Sequence, residues 1–193
     1  MSRAYEFRKQ LAILAWFPLL LLVGCGSTTT PPSITGFSPS EATVGTTVTI
    51  TGTDFDTTTT YNVVTFNGEE ATVSSCTSEK IVTTVPSGAT TGPISVTIDD
   101  VTGISDDDFG VIPRITSFSP TSGATSSYIT IVGTGFTSTD PDIIVTIGGT
   151  TATVINSNST SIIVQVPSGV TSGQITVTIA SLTATTSTSF TVD

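Results

Sequence analysis

The chain has 193 residues, with 15 carboxylates against five cations, no histidine and a net charge of −10. Past residue 24 only Lys80 and Arg114 stand against 14 carboxylates, which argues against any partner held through phosphate neutralisation, nucleic acid above all. The same stretch lacks His, Trp and Met and has Cys25 and Cys76 as its thiols, an inventory hostile to acid–base or nucleophilic catalysis, so a non-enzyme is expected.

Residues 1–24 open with Arg3, Arg8 and Lys9, continue through an apolar run from Leu11 to Val23 and end on a small residue, the layout of an export signal. The run has 13 residues, whereas a bilayer-spanning helix takes about 20, so cleavage is expected rather than retention. Leu22, Val23, Gly24 and Cys25 resemble the lipobox of bacterial lipoproteins. That resemblance implies diacylation of the Cys25 thiol and cleavage just before it. Each buried CH₂ contributes about 0.8 kcal/mol, so two or three acyl chains make a lasting anchor. Gly26 after the cysteine resembles the outer-membrane default, giving an expected address at the bacterial outer membrane or cell surface. Residues 25–31 then form a lipidated cysteine and a polar tether reaching at most roughly 20 Å.

From Pro32 the chain repeats itself. Residues 32–112 align with 113–193 at an offset of 81 without a gap, and 33 of 81 positions are identical. An internal repeat of that length makes two modules of one fold. Val48 with Ile50, Val64 with Phe66, Ile81 with Val85, and Ile94 with Val96 and Ile98 alternate with period two, as half-buried antiparallel strands do. Turn signals separate them at Ser38–Pro39, Gly52, Asn67–Gly68, Pro86–Gly88, Gly92–Pro93 and Gly103. The second copy keeps the register through Ile129 and Ile131, Val145 and Ile147, Ile162 and Val164, and Ile175, Val177 and Ile179. An all-β fold of two sandwiches with about seven strands each is expected.

The residues Ile34, Phe37, Ser38, Pro39, Gly52, Phe55, Phe66, Gly68, Val85, Pro86 and Phe109 resemble the pattern of an IPT/TIG domain. Ile115, Phe118, Ser119, Pro120, Gly133, Phe136, Gly148, Gly149, Val166, Pro167 and Phe190 repeat it. The resemblance implies the immunoglobulin-like E-set fold shared by plexins, Rel-type transcription factors and many bacterial surface proteins. Neither copy has the disulfide or core tryptophan of antibody domains, so aliphatic and Phe side chains must hold it. Ile112 runs straight into Pro113, and a stiff end-to-end pair is expected.

Candidate site residues are few. Asp54 and Asp56, with Asp99, Asp100, Asp106, Asp107 and Asp108, are expected at one pole of the first module, where grouped oxygen ligands suit Ca²⁺. The plainer reading is a set of solvated loop tips, since no spacing matches a defined calcium loop. The second copy carries Asp140 and Asp142 at the equivalent pole. Tyr61 and Tyr128 are the aromatics with a polar tip and stand as candidate ligand contacts. Cys76 is read as a small residue on a turn, with an intermolecular disulfide as the alternative.

The expected function is a non-enzymatic surface lipoprotein, held to the membrane by its lipid anchor, whose modules serve as a stalk, adhesion or protein-interaction unit. An accessory glycan-binding lipoprotein is the alternative, because IPT/TIG modules accompany carbohydrate-active and nutrient-uptake proteins in bacteria. No cofactor beyond calcium is indicated. A glycosidase would need carboxylates flanking a cleft at about 5 to 10 Å, which a small sandwich does not readily offer.

Overall fold

The computed structural model describes residues 30–137 and 143–193. Cys25, the leader before it and most of the tether lie outside the described residues, as do Asp140 and Asp142. The described chain forms two β-sandwiches. In the first, β1 (Ser33–Ser38), β3 (Thr47–Thr53), β7 (Lys80–Thr84) and β6 (Val73–Thr77) make one sheet, in that order. Its facing sheet runs β2 (Glu41–Ala42), β9 (Val101–Val111), β8 (Gly92–Ile98), β4 (Val63–Phe66) and β5 (Glu69–Ala71).

The second sandwich repeats this plan with eight strands in place of nine. Its elements are β10 (Arg114–Ser119), β11 (Ser122–Gly123), β12 (Tyr128–Thr134), β13 (Ile143–Ile147), β14 (Thr150–Asn158), β15 (Ser161–Gln165), β16 (Gly173–Ile179) and β17 (Leu182–Val192). Irregularities repeat as well: bulges fall between Ile34 and Gly36 and between Ile115 and Ser117, and the peptides before Pro39 and Pro120 are both cis.

The strand count exceeds the seven expected because two stretches change sheets. After Pro39 the chain leaves the β3 side as β1 and joins β9, in parallel, as β2. At Thr72 it likewise passes from β4 to β7, as β5 and then β6. In the second module β14 makes that passage unbroken and pairs with both β13 and β15, so the two sheets become one continuous ladder. Each flank of each sandwich is therefore closed by one stretch that serves both sheets.

The apolar alternation sets the core. Val48 and Ile50 on β3, Ile81 on β7, Val64 and Phe66 on β4, and Ile94 and Val96 on β8 are fully buried between the sheets. Phe109 closes the middle, its ring 5.0 Å from Phe66 at an edge-to-face angle of 83° and 5.8 Å from Phe37. Such ring pairs add about 0.5–1.5 kcal/mol beyond the burial itself. In the second module Ile129, Ile131, Val145, Ile147, Ile162, Ile175, Val177 and Phe190 form a separate cluster of the same plan.

Three turn assignments made from glycine are corrected: Gly92 and Pro93 are the first residues of β8. Gly52 lies within β3 and Gly103 within β9, not in turns. A Cβ on Gly52 would collide with the Ser33 carbonyl oxygen and the ring of Phe55, and Gly133 has the same relation to Arg114 and Phe136. These glycines permit close backbone approach between neighbouring strands. Asn67–Gly68 and Gly148–Gly149 are the hairpin turns expected, with φ of 48° and 88° in one and 53° and 84° in the other.

Candidate functional site

The seven aspartates do not converge. Asp99 and Asp100 occupy the two-residue turn between β8 and β9, and Asp99 lines an open hollow of about 390 Å³ with Asp54, Asp56, Thr30, Phe55, Ser78 and Ile98. Asp106, Asp107 and Asp108 belong to β9 itself, where Asp108 pairs with Pro93 at the opposite end of the hairpin from the turn. Pro93, opposite Asp108, is five residues from Ile98 at the turn, so at about 3.3 Å per residue Asp108 stands roughly 17 Å up the ladder from it. Three successive carboxylates looked like a loop, but all three are solvent-exposed on a continuous strand. Among the described residues no three carboxylates or thiols are grouped so as to hold a metal ion.

The irregularity beside them has a different purpose. Ser95 pairs with Ile104, while Pro93 pairs with Asp108, so residues 105–107 bulge from β9. Inside the bulge the buried Ser105 hydroxyl accepts from the Ile94 N–H at 2.9 Å and donates to the Asp107 carbonyl at 2.7 Å. The Ser105 hydroxyl thus replaces a missing rung of the ladder. Nothing in the sequence signalled it except that position 105 carries a hydroxyl and so does position 186.

Tyr61 ends a 3-10 turn (Thr59–Tyr61) ahead of β4 and is 62% exposed. The turn is fixed by Asn62, a buried residue whose amide nitrogen donates to the Asp56 and Thr58 carbonyls while its oxygen accepts from the Asp56 N–H. Asp56 in turn accepts from the Thr58 N–H. Beside Tyr61, its neighbours Thr59, Thr60, Asn62 and Val63 line an open groove of about 390 Å³, with Glu70 to Val73 on the other wall. Tyr128 is also exposed, but it begins β12 opposite Gln165, a different place in the fold. The two tyrosines therefore do not form one platform, nor do they repeat one another.

Cys76 sits on β6 paired with Ile81, not on a turn, and is half-buried against the first core. The turn follows it, because Val73 to Thr77 continues the ladder to β7. The outward face of the β4–β8–β9 sheet carries paired hydroxyls, Thr65 with Ser95 and Thr97 with Thr102, each pair 2.8 Å apart. Thr146 with Thr176, at 2.6 Å, and Thr178 with Thr183, at 2.8 Å, repeat the array. These pairs wet the sheet without charge.

The IPT/TIG domain pattern matches residues 32–109 and again residues 113–192. No curated protein matches the chain. Among solved structures, a surface glycan-binding protein from Prevotella bryantii is similar at 17% identity, over 83% of this chain and 42% of that one, with a TM-score of 0.53. An auxiliary nutrient binding protein from Bacteroides thetaiotaomicron is 15% identical over 78% of this chain and 43% of that one, with a TM-score of 0.43. A candidate phosphatase from the same species is 35% identical, but over 42% of this chain and 18% of that one, with a TM-score of 0.41. The chain spans less than half the length of each of these. The Prevotella likeness supports the fold and nothing further.

Proposed function

The chain belongs to the IPT/TIG domain family, which it represents twice, and on that premise we propose that it is a non-enzymatic cell-surface protein whose paired sandwiches serve as a stalk or interaction unit. The observation that carries this reading is the direct succession of β9 by β10 through Ile112 and Pro113, between two complete and separate cores. Two rigid bodies joined without a spacer hold whatever they bear at a set distance from their base. The surface glycan-binding protein from Prevotella bryantii that shares the fold puts such modules in a fitting setting. Acylation of Cys25 would supply the base, with the first module close to the lipid.

Fractionation of cells tests the anchor. A Cys25→Ser variant is expected in the soluble secreted fraction while the parent chain stays with the membrane; retention of both would sink that part of the reading. Small-angle scattering of the chain from Gly26 onward tests the stalk, and a compact particle in place of an extended one would count against it.

The second reading is direct binding of a glycan, favoured by the exposed Tyr61 beside the groove between Thr59–Val63 and Glu70–Val73. An aromatic ring can stack on a sugar while hydroxyls and a carboxylate orient it. It predicts retarded migration through gels containing polysaccharide that is lost on Tyr61→Ala. Unretarded migration of the parent chain on every polysaccharide leaves the stalk reading in possession.

A further inference from the structure

Comparison of the leading poles of the two modules, position by position at the 81-residue offset, reveals a one-sided exchange. Asp54, Asp56, Asp99 and Asp100 in the first module become Gly135, Thr137, Ala180 and Ser181 in the second. At these four positions four carboxylates are replaced by none, while Asp140 and Asp142, outside the described residues, take the places of Thr59 and Tyr61.

Local backbone does not demand this. Asp99 and Asp100 have φ of 48° and 65°, and Ala180 and Ser181 adopt 48° and 72° in the same two-residue turn. Aspartate enters the left-handed region more readily than alanine or serine, so the second module uses the poorer turn residues. A reason from outside the turn is required.

It lies in what each pole touches. Ile179, just before the second turn, is 5% exposed, while its counterpart Ile98 is only half-buried. Val111, at the trailing end of the first module, is 1% exposed, while its counterpart Val192 is half-buried. A side chain built on Gly110 would come within 3.2 Å of Leu182, and one on Gly135 within 3.0 Å of Val111. The second module has Thr191 in place of Gly110. Between the modules a crevice of about 270 Å³ is lined by Asn67, Thr90, Thr91 and Asp108 on one side and by Thr137, Ile179 and Ala180 on the other. A carboxylate at 137 or 180 would face Asp108 across this crevice, where like charges repel.

We infer that the leading pole of the second module is a docking face built to receive the trailing pole of a preceding sandwich, and that the absence of carboxylates at 137 and 180, the positions facing Asp108, is what makes it one. The first module's leading pole, with its four aspartates, is barred from the same use. The modules therefore cannot exchange places, and their order is written in the turn residues. This holds whatever the pair carries at its far end.

The test uses the chain from Gly26 onward, which contains both complete cores, with Cys76→Ser and spin labels on Thr102→Cys and Thr183→Cys. The distance distribution between labels is expected to be narrow. Restoring the first module's charges through Thr137→Asp, Ala180→Asp and Ser181→Asp should broaden it several-fold, with narrowing again at 1 M salt, where the screening length falls to about 3 Å. Single Ala180→Asp is the milder form should the triple variant lose its second melting transition. Ala180→Asn, equal in bulk to aspartate and without its charge, should keep the distribution narrow. Asp54→Ala with Asp56→Ala and Asp99→Ala should change nothing. A narrow distribution in the aspartate variants overturns the inference, and so does a broad one for Ala180→Asn, since bulk rather than charge would then decide.

Discussion

Ser105 and Thr186 hold one place in two sandwiches: the Ser105 hydroxyl accepts from the Ile94 N–H at 2.9 Å, and the Thr186 hydroxyl accepts from the Ile175 N–H at 3.0 Å. Each then donates to a carbonyl two residues along, that of Asp107 or Thr188, at 2.7 Å. Both are buried, at 8% and 6% exposure. Ser105→Ala should leave the Ile94 N–H without a partner and cost about 1–3 kcal/mol, whereas Ser105→Thr should be borne with a smaller loss. Chemical denaturation of the two variants side by side checks this, and equal midpoints for Ala and parent would contradict it.

The separate cores predict separate unfolding. Phe109→Ala removes a fully buried ring that touches Phe66 and Phe37 and should cost the first module about 3–5 kcal/mol. Calorimetry should then show one transition moving down by many degrees and another staying put. A single transition moving as a whole would mean the modules share their stability.

Gly52→Ala is expected to be severe for so small a change. Its Cβ would strike the Ser33 carbonyl, which the backbone can relieve only by parting β1 from β3, and a loss of about 1–3 kcal/mol follows. Gly68→Ala, with open space around the added methyl, should be milder, and its penalty is confined to the φ of 88°. The difference in melting temperature between these two variants is the measurement.

Cys76→Ser should cost less than about 1 kcal/mol, because Ser157 stands at the same point of β14 and the position is only half-buried. Thiol titration on the native chain should show Cys76 reacting more slowly than after denaturation.

Calcium at millimolar concentration should not raise the melting temperature beyond what magnesium or sodium at equal ionic strength does. The carboxylates at the leading pole, Asp54, Asp56 and Asp99, face an open hollow without a fourth ligand chain, and Asp106 to Asp108 stand elsewhere. A calcium-specific rise would show that solution brings together what the fold holds apart.

The strands themselves were legible from Val48, Ile50, Val64 and Phe66, because burial of one face of a sheet forces a period of two onto the residues. Gly52 and Gly103 misled, since the signal of a turn and the signal of two backbones in close contact are the same missing side chain. Asp106 to Asp108 misled for a related reason: a run of charge suggests a loop, yet an outer strand segment held by the Ser105 hydroxyl accommodates it. The groove beside Tyr61 depends on how Asn62 ties three loop residues together, which no pairwise spacing reveals. The contrast at Ile179 and Val111 was out of reach altogether, because only the meeting of two poles creates it.

A sequence of alternating threonine, valine and isoleucine is the raw material of cross-β fibres, and tethered copies on an envelope would stand close to one another. In each module the sheet rims are formed by short stretches that cross from one layer to the other at Pro39 and Thr72, or at Pro120 and along β14. The outer edges of β9 and β17, paired with β2 and β11 only at two residues each, are interrupted by the bulge at 105–107 and its counterpart, so a neighbouring copy finds no long straight rim to zip onto. Crowding, as the proposed anchor would impose, is thereby made compatible with one of the most aggregation-prone vocabularies a protein can use.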